Sequence, residues 1–548
     1  MAFTLADLNE RIADTVPDRE AIVTATRRLT WRDLQLRTRR LARLLQNAGL
    51  GCRRERAELA PWESGQDHVA LYLYNGNEYL EGMVAASKAR AVSFNVNYRY
   101  VDDELRYLFQ DAGARAIVYH GSFAPQVARL LETLPGPALL LQVDDGSGTP
   151  LLPGARDYEE ALASVSDAPI DLATSDDDLY IVYTGGTTGM PKGVLWRAVD
   201  IFFAALGGRV PGQPPVASMD EVVARAVGAE GVRLLPAPPL MHGAGHWTSF
   251  ITLHSGGTVV VQRNPRRLDP DDIWSTIARE RVLSLSIVGD AFARPLIDQL
   301  REKDYDLSSL LIVGSGGAIL SPSNKQALLE LLPNIIVADG FGASETGAQG
   351  ATFTIKGSAV PGAFQMDEHT FVLDEAMTRR LPPGSDEIGW LARTGHMPLG
   401  YLGDRAKTER TYPVIGGVRH SIPGDRAQVT AEGAVKVLGR DSVCINTGGE
   451  KVFAEEVEQA LKRHPAVHDV LVTGTPSERW GQQVTAVVAL KPGAQASEED
   501  LRETAAGELA RYKLPRAVVF VDAVQRAPTG KPDYRWAKET ATAALVGR

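Results

Sequence analysis

The chain has 548 residues, of which 44% are hydrophobic and 23% charged, and its formal net charge is -10. This length predicts two or more domains with sizeable cores, and the composition is ordinary for a globular protein. The acidic balance argues against a broad surface for nucleic acid or anionic membrane, while a local basic groove for a phosphorylated ligand stays compatible with it.

The two cysteines, Cys52 and Cys444, are far apart in sequence. They predict neither a disulfide framework nor a cysteine metal cluster, which indicates a reducing, cytoplasmic setting. The N-terminal stretch carries acidic residues and lacks a continuous apolar core, and no run reaches the ~18 apolar residues of a membrane span. We therefore expect neither secretion by a signal peptide nor an integral membrane segment.

A glycine-rich loop is the first element that points to chemistry. The run Leu179–Tyr183 predicts a buried strand, and Thr184–Gly193 after it combines hydroxyls, glycines and Lys192. Apolar residues from Leu195 to Leu206 then recur at helical spacing, so we expect strand, loop, helix. Glycines admit an anion, threonines donate to it and a helix N-terminus attracts it, which predicts a phosphate loop. A Walker loop is excluded because Lys192 does not precede serine or threonine.

Later segments indicate the fold class. Short apolar runs that end in glycine or aspartate, as at Leu311–Val313 and Ile335–Val337, alternate with amphipathic helices. This alternation predicts α/β layers with mostly parallel strands, whose end loops carry function. The segment Gly207–Ala229 contains several prolines and glycines and is predicted to be a surface insertion.

The strongest domain boundary lies late in the chain, after a predicted hairpin through Glu432 and Gly433. We expect a large N-terminal domain over residues 1–438 and a small α+β domain over 443–548, joined by residues 439–442. The elements predicted for the small domain are a helix over Glu455–Arg463, strands over Val470–Val472, Val484–Leu490 and Val518–Val521, and a helix opened by a capping box at Ser497.

The loop Thr184–Gly193 resembles the TSGTTGxPKG signature of the adenylate-forming superfamily, which comprises acyl-CoA synthetases, luciferases and the adenylation domains of peptide synthetases. Gly185 stands where the family usually has serine, so one hydroxyl contact to phosphate is absent. Other family landmarks follow in order, from Thr30-Trp31 through Asn95–Arg99 to Lys531. The likeness is greatest to actinobacterial acid-CoA ligases that activate sterol side chains and long-chain acids. It implies a large adenylate-forming domain followed by a small mobile one.

The resemblance implies a set of residues for ATP. In Phe341–Thr346, which resembles the family's YGxTE string, the ring stacks on adenine, Ser344 contacts the α-phosphate and Glu345 holds magnesium. Asp425 takes the place of the aspartate that accepts from both ribose hydroxyls. The expected ATP-binding residues are Thr184, Gly185, Gly186, Thr187, Thr188, Gly189, Lys192, Gly316, Gly317, Ala318, Asp339, Gly340, Phe341, Gly342, Ser344, Asp425 and Arg440.

Lys531 lies in a Thr-Gly-Lys turn and matches the family lysine of the first half-reaction. Attack of a carboxylate on the α-phosphate brings two anions together, and an ammonium stabilises the charge that develops. We expect Lys531, Glu345 and His242 to be catalytic, with Glu345 as the metal ligand.

His242 and His246 lie four residues apart, in a segment that resembles the family's link between the substrate carboxylate and the acyl pocket. The spacing also occurs in zinc sites, but the glycines between them and the missing glutamate argue against the helix and general base of such a site. We expect His242 to line the reacting carboxylate, and His246, Trp247, Ile287 and Phe292 to shape the acyl pocket.

The run Gly439–Lys451 resembles the family's hinge and the hairpin after it. Asp441 and Ser442 are the two candidates for the pivot. Gly448 and Gly449 are expected to line the passage for the pantetheine arm of CoA, where side chains would block it. Trp480 is expected against the CoA nucleotide, with a position in the core as the alternative.

The function implied by the resemblance is that of an AMP-forming acid-CoA ligase. It uses ATP, Mg²⁺ and CoA to convert a carboxylic acid, expected to be a steroid side-chain or long-chain fatty acid, into a thioester through an acyl-adenylate. The lack of a nucleophile-elbow motif agrees with a route that has no covalent enzyme intermediate. Two alternatives stay open, a ligase that delivers the acyl group to a carrier protein and an inactive nucleotide-binding protein. A homodimer is allowed for, and no nucleic-acid partner is expected.

Overall fold

The computed structural model describes residues 2–171, 173–185, 190–210, 214–229, 231–447, 450–477, 479–526 and 530–546. Its α-helices are α1 Leu5–Thr15, α2 Trp31–Asn47, α3 Asn77–Lys88, α4 Asp102–Ala112, α5 Ala124–Leu131, α6 Tyr158–Ala163, α7 Ala198–Ala205, α8 Met219–Gly228, α9 Gly243–His254, α10 Pro270–Glu280, α11 Gly289–Glu302, α12 Pro322–Leu331, α13 Arg405–Thr411, α14 Ala454–Leu461, α15 Glu498–Ala506 and α16 Tyr534–Val546. No helix in the described ranges is both long and apolar enough to cross a membrane.

The strands are β1 Glu20–Val23, β2 Arg28–Thr30, β3 His68–Tyr72, β4 Val92–Asn95, β5 Ala114–His120, β6 Leu139–Val143, β7 Arg156–Asp157, β8 Leu179–Thr184, β9 Lys192–Arg197, β10 Arg233–Pro236, β11 Thr258–Val260, β12 Ser284–Ile287, β13 Ile312–Gly316, β14 Ile336–Ala343, β15 Gly347–Thr354, β16 Gln365–Met366, β17 Thr370–Leu373, β18 Gly389–Arg393, β19 Gly400–Tyr401, β20 Val414–Ile415, β21 Val418–Arg419, β22 Asp425–Val429, β23 Val435–Arg440, β24 Cys444–Thr447, β25 Glu450–Phe453, β26 Val467–Ser477, β27 Gly481–Leu490 and β28 Ala517–Val521.

Two parallel sheets organise the first part of the chain. The larger has the order β16-β15-β14-β13-β12-β10-β11-β1-β2, parallel from β14 to β1 and antiparallel at both ends. The second, β4-β3-β5-β6-β7, is parallel throughout. The largest cluster of buried side chains includes Trp31, Tyr79 and Trp196. The predicted α/β class with mostly parallel strands is confirmed.

Smaller antiparallel sheets close the large domain. One has the order β17-β18-β22-β23 and another the order β19-β9-β8. The predicted hairpin through Gly433 is present as β22 and β23, and Gly433 adopts a φ of 80° in its turn, which favours glycine. This hairpin carries Asp425 at its first residue and Arg440 at its last, directly opposite one another.

The C-terminal part is a separate α+β unit. Its sheet has the order β25-β24-β27-β26, and β28 pairs with β27 in parallel. Helices α14 and α15 share one buried cluster with this sheet, and α16 packs on Leu471 and Val487. The Ser497 capping box is present, because the Ser497 hydroxyl accepts from the Asp500 amide and Asp500 accepts from the Ser497 amide. The predicted large and small domains are therefore both confirmed as folds.

One prediction of secondary structure is wrong. The residues after the phosphate loop form the strand β9 before a helix begins at Ala198, because Val194, Leu195 and Trp196 are consecutively buried on both faces of a hairpin. A short apolar run cannot be told from a helix by periodicity alone. The segment predicted as a surface insertion contains α8, which buries Met219 and Val222 and leaves Asp220 exposed.

Candidate active site

The carboxyl ends of β12, β13 and β14 form the floor of the site. Gly316 lies opposite Gly340 across β13 and β14. Gly317 has a φ of 85°, and a Cβ there would meet nothing closer than Ala244 at 3.9 Å. The backbone beyond β13, including Ala318, is thus free of bulky side chains where a flat ring can approach. Asp339 of β14 is buried and its carboxylate lies 2.6 Å from the Lys325 ammonium.

The turn from β14 to β15 carries the predicted adenine and metal residues. Phe341 is half-buried, and its ring centroid lies 5.5 Å from that of Phe364. Gly342 cannot carry a side chain, because a Cβ would lie 2.3 Å from the Gly347 carbonyl oxygen. The Trp196 indole donates to the Ser344 carbonyl at 3.0 Å, which ties this turn to the phosphate-loop hairpin.

Glu345 is 7% exposed, and two hydroxyls hold it. The Tyr401 hydroxyl donates to Oε1 at 2.9 Å, and the Ser421 hydroxyl donates to the backbone carbonyl at 2.7 Å. A carboxylate beside a neutral donor still offers free lone pairs, which suits a hard cation such as Mg²⁺. Sequence reasoning missed Tyr401, because a lone tyrosine in a short strand has no local signal.

Lys531 of the small domain reaches the large domain's charged residues. Glu345, Asp425 and Arg440 are all close enough to influence its pKa. The Lys531 side chain is exposed to the cleft. Desolvation by the surrounding protein, together with the charge of Arg440, lowers the pKa of Lys531, and the carboxylates of Glu345 and Asp425 oppose this shift. The sequence-predicted residues from both domains therefore meet in one cleft.

Asp425 and Arg440 form an ion pair in this cleft. Arg440 Nε lies 3.4 Å from Asp425 Oδ1, and Asp425 is 6% exposed. Burial raises the pKa of Asp425, and the cations Arg440 and Lys531 counteract that shift. Because this ion pair holds the buried Asp425 carboxylate in place, its oxygens can accept hydrogen bonds from a fixed direction.

His242 caps α9, and the prediction that its segment is not helical is wrong. The helix begins at Gly243 and includes His246, because the glycines serve close packing: a Cβ on Gly245 would lie 2.4 Å from the Pro239 carbonyl oxygen. Burial, together with Lys531 and Arg99, lowers the pKa of His242 to about 3, so the ring is neutral. His242 Nε2 is buried and has no hydrogen-bond partner among the described residues.

The predicted acyl residues lie in two adjoining cores. His246 donates from Nδ1 to the Leu240 carbonyl at 2.7 Å, and burial lowers its pKa to about 4. Trp247 packs edge-on against His246, with ring centroids 6.3 Å apart. Ile287 and Phe292 are buried in the cluster that borders α11, which also receives Ala244 of α9. The helix α9 thus connects His246 and Trp247 with Ile287 and Phe292.

The predicted phosphate loop lies only in part within the described residues. Gly186, Thr187, Thr188 and Gly189 lie outside them, whereas Thr184 and Lys192 face one another at the open end of the hairpin. Lys192 Nζ lies 3.5 Å from Asp404 Oδ2 and 5.9 Å from the Tyr107 ring centroid. The adjacent Gly185 is exposed.

The predicted hinge and CoA residues fall only in part on described residues. Asp441 follows β23 and its amide donates to the Gly424 carbonyl at 3.0 Å. The side chain of Ser442 and both Gly448 and Gly449 are outside the described residues. Trp480 is half-buried, and the guanidinium carbons of Arg479 and Arg516 lie 4.7 Å and 4.4 Å from its ring centroid.

A cavity of about 160 Å³ lies where the domains meet. Its lining includes Arg99, Arg267 and Phe292 from the large domain and Arg526 and Gly530 from the small domain. The three arginines give the cavity a positive lining beside the Lys531 turn. Sequence reasoning did not single out Arg267 or Arg526, because residues this far apart converge only in the folded chain.

Comparison with known proteins identifies the family to which this fold and site belong. The family profile described as "AMP-binding enzyme" matches residues 9–401, and "AMP-binding enzyme C-terminal domain" matches residues 456–531. The chain is 51% identical over 542 residues to the medium-chain acyl-CoA ligase Mig of Mycobacterium avium, with 98% of each chain covered. It is 43% identical over 550 residues to the 3-oxocholest-4-en-26-oate–CoA ligase of Rhodococcus rhodochrous, covering 98% of this chain and 96% of that one. The solved structure of the anthranilate CoA ligase AuaEII in complex with anthranoyl-AMP matches this fold with a TM-score of 0.83, over 99% of this chain and 98% of that one. Because the two sequences are only 22% identical, this likeness shows the fold alone.

Proposed function

Because this chain belongs to the AMP-binding enzyme family, we propose how its residues divide the work of an AMP-forming acyl-CoA ligase and which acid it activates. The enzyme joins a carboxylic acid to CoA and requires ATP and Mg²⁺. The proposed acid is large and hydrophobic, either a fatty acid of medium or long chain or a steroid side-chain acid.

The observation that carries the proposed residue roles is the convergence of Lys531 with Glu345, Asp425 and Arg440. When a carboxylate approaches the α-phosphate of ATP, the Lys531 ammonium would stabilise the negative charge that builds up between the two anions. Asp425 would accept from the ribose hydroxyls. Magnesium, when bound, neutralises phosphate charge, and Glu345 would hold it.

His242 is assigned a hydrogen-bonding role in this step. With a pKa of about 3 its ring stays neutral at physiological pH, so it neither adds a second cation nor acts as a general base. Its buried Nε2, which lacks a partner within the described part of the chain, would face the reacting carboxylate group. Lys531 then supplies the positive charge and His242 the orientation.

The second step needs a different face of the small domain. For the CoA thiol to reach the acyl-adenylate, the Lys531 turn must withdraw, and we assign the pivot to Asp441 or Ser442 in the segment 439–442. The hairpin of β24 and β25 would then bring Gly448 and Gly449 to the site. Thr447 pairs with Gly481, the neighbour of Trp480, which supports a shared role of these residues toward CoA.

The proposed acid is supported by the two curated relatives, whose names specify a medium-chain acid and a steroid acid. The candidate lining of Trp247, Ile287 and Phe292 is apolar and bulky. A long chain or a fused ring system removes far more apolar area from water than a short acid, at ~25 cal/mol per Å².

A substrate panel tests this proposal. CoA-dependent AMP release is measured with acetate, benzoate, dodecanoate, palmitate and a steroid side-chain acid. We expect the best large acid to exceed both small acids by ~100-fold in kcat/KM, which corresponds to ~2.7 kcal/mol. A small acid in first place would overturn the large-pocket proposal, while palmitate far ahead of the steroid acid would overturn only its steroid form.

A cytoplasmic location is part of the proposal. ATP and CoA are supplied inside cells, and both Cys52 and Cys444 are free thiols. Cell fractionation with an antibody to the chain tests it, and recovery from the extracellular medium would contradict it.

A further inference from the structure

A group of ion pairs crosses the boundary between the two domains. We call it the interdomain ion cluster, and it consists of Asp290 and Arg294 on α11 of the large domain and Lys462, Asp469 and Arg526 of the small domain. Lys462 Nζ lies 3.3 Å from Asp290 Oδ2 and 3.7 Å from Asp469 Oδ1. Arg294 Nη1 lies 3.9 Å from Asp469 Oδ1 and Nη2 lies 3.5 Å from Asp290 Oδ2.

The cluster is buried and anchored on both sides. The side chains of Lys462 and Asp290 are 7% and 5% exposed, so solvent and salt screen their attraction little. Asp290 Oδ1 also accepts from the Ser321 amide at 2.8 Å and the Asn324 amide group at 2.8 Å, which fixes it to the start of α12. Removing one partner of such a pair leaves the remaining buried charge with less compensation.

The cluster lies at the base of the turn that carries Lys531. Arg526 donates to both oxygens of Asp469, at 2.7 and 2.8 Å, and to the Gly530 carbonyl at 3.3 Å. Gly530 packs against α11, since a Cβ there would lie 3.1 Å from Ala291. A chain of polar contacts therefore leads from Asp290 through Lys462, Asp469 and Arg526 to the residue before Lys531.

We propose that Lys462 and Asp290 are positioning residues for the adenylation step, which dock the small domain in the orientation that delivers Lys531. The inference rests on the proposed two-step reaction. The contacts between Lys462 and α11 cannot persist when the small domain turns to admit CoA, so they act on the first half-reaction alone. The two residues act on Lys531 through Asp469 and Arg526.

The variant Lys462→Met tests the proposal by half-reaction kinetics. Pyrophosphate release in a single turnover without CoA should slow by at least ~10-fold, which corresponds to ~1.4 kcal/mol. Thioester formation from supplied acyl-AMP and CoA should stay within ~2-fold of wild type, because a contact absent from that state cannot stabilise it. Lys462→Arg, which keeps the charge, should recover most of the adenylation rate.

Lys513→Met is the matched control. Lys513 Nζ lies 2.8 Å from Glu456 Oε2, with exposed fractions of 20% and 11%, but this pair lies wholly within the small domain. Its loss should slow neither half-reaction. Asp290→Asn is the second variant. When it is combined with Lys462→Met, the adenylation rate should fall little further than in Lys462→Met alone, since both substitutions remove the Lys462–Asp290 contact.

Each outcome decides the inference. Equal slowing of both half-reactions, an effect of Lys513→Met as large as that of Lys462→Met, or unchanged adenylation in a folded Lys462→Met or Asp290→Asn protein would overturn it. Failure of the proposed function is distinguishable, because wild-type enzyme would then show either no acid-dependent pyrophosphate release or no thioester from supplied acyl-AMP and CoA.

Discussion

At the scale of single residues, the Lys531 ammonium of the small domain lies near Arg440 at the end of β23 and near Glu345 and Asp425, whose carboxylates offset the repulsion from Arg440. We expect Lys531→Ala to slow adenylation by ~100-fold or more, the size seen when one transition-state donor is removed. Thioester formation from supplied acyl-AMP should change little. Single-turnover assays of each half-reaction provide the measurement.

Lys538→Ala is the control for this substitution. Lys538 is exposed on α16 of the same small domain, so its loss removes equal charge without touching the cleft. Comparable losses in the two half-reactions of Lys531→Ala would contradict the assignment of Lys531 to adenylation.

At the scale of elements, the hairpin of β8 and β9 holds the phosphate loop through close packing at Gly193. A Cβ on Gly193 would lie 2.9 Å from the Tyr183 ring, and Tyr183 is buried and directly opposite on β8. We expect Gly193→Ala to reduce the free energy of unfolding by ~1–3 kcal/mol, as overpacking does, and to raise the KM for ATP. Chemical denaturation and ATP kinetics measure both effects.

Gly228→Ala is the matched control at this scale. Gly228 ends α8, and a Cβ there would meet no atom within 4 Å, so the same substitution should be neutral or slightly stabilising. If Gly193→Ala behaved like Gly228→Ala, the hairpin would not be constrained by this packing.

At the scale of the whole molecule, buried neutral histidines link stability to pH. Burial lowers the pKa of His254 to about 4, whereas an exposed histidine titrates near 6.5. The neutral ring therefore contributes stability that is fully present above pH 6.5 and is lost as pH falls toward 4. His120, His242 and His246 have pKa values lowered to about 4, 3 and 4 for the same main reason.

His254→Gln isolates one of these contributions. At pH 5 the wild-type chain should take up about one more proton on unfolding than the variant, which corresponds to ~1.4 kcal/mol per pH unit. Comparing the variant with wild type matters because Glu455, whose pKa burial raises to about 8, has the opposite dependence. Calorimetry in buffers of different ionisation heat gives the proton number, and equal uptake by both proteins would contradict the prediction.

The fold class, the division into a large and a small domain, and the family could all be predicted from the amino-acid sequence. Those conclusions rest on local signals: a strand before a glycine-rich loop, a capping box at Ser497, and motifs whose residues are contiguous, such as Phe341–Thr346. Contiguous residues keep their spacing in any fold, so their chemistry can be inferred before the structure is known.

Features that depend on contacts between residues far apart along the chain could be found only from the folded structure. Whether 192–197 forms a strand or a helix was settled by pairing with β8, and whether the glycines after His242 break a helix was settled by contact with Pro239. Tyr401 beside Glu345, and the interdomain ion cluster, join residues far apart along the chain. Such contacts arise from packing of whole elements, whose energies no local pattern of residues contains.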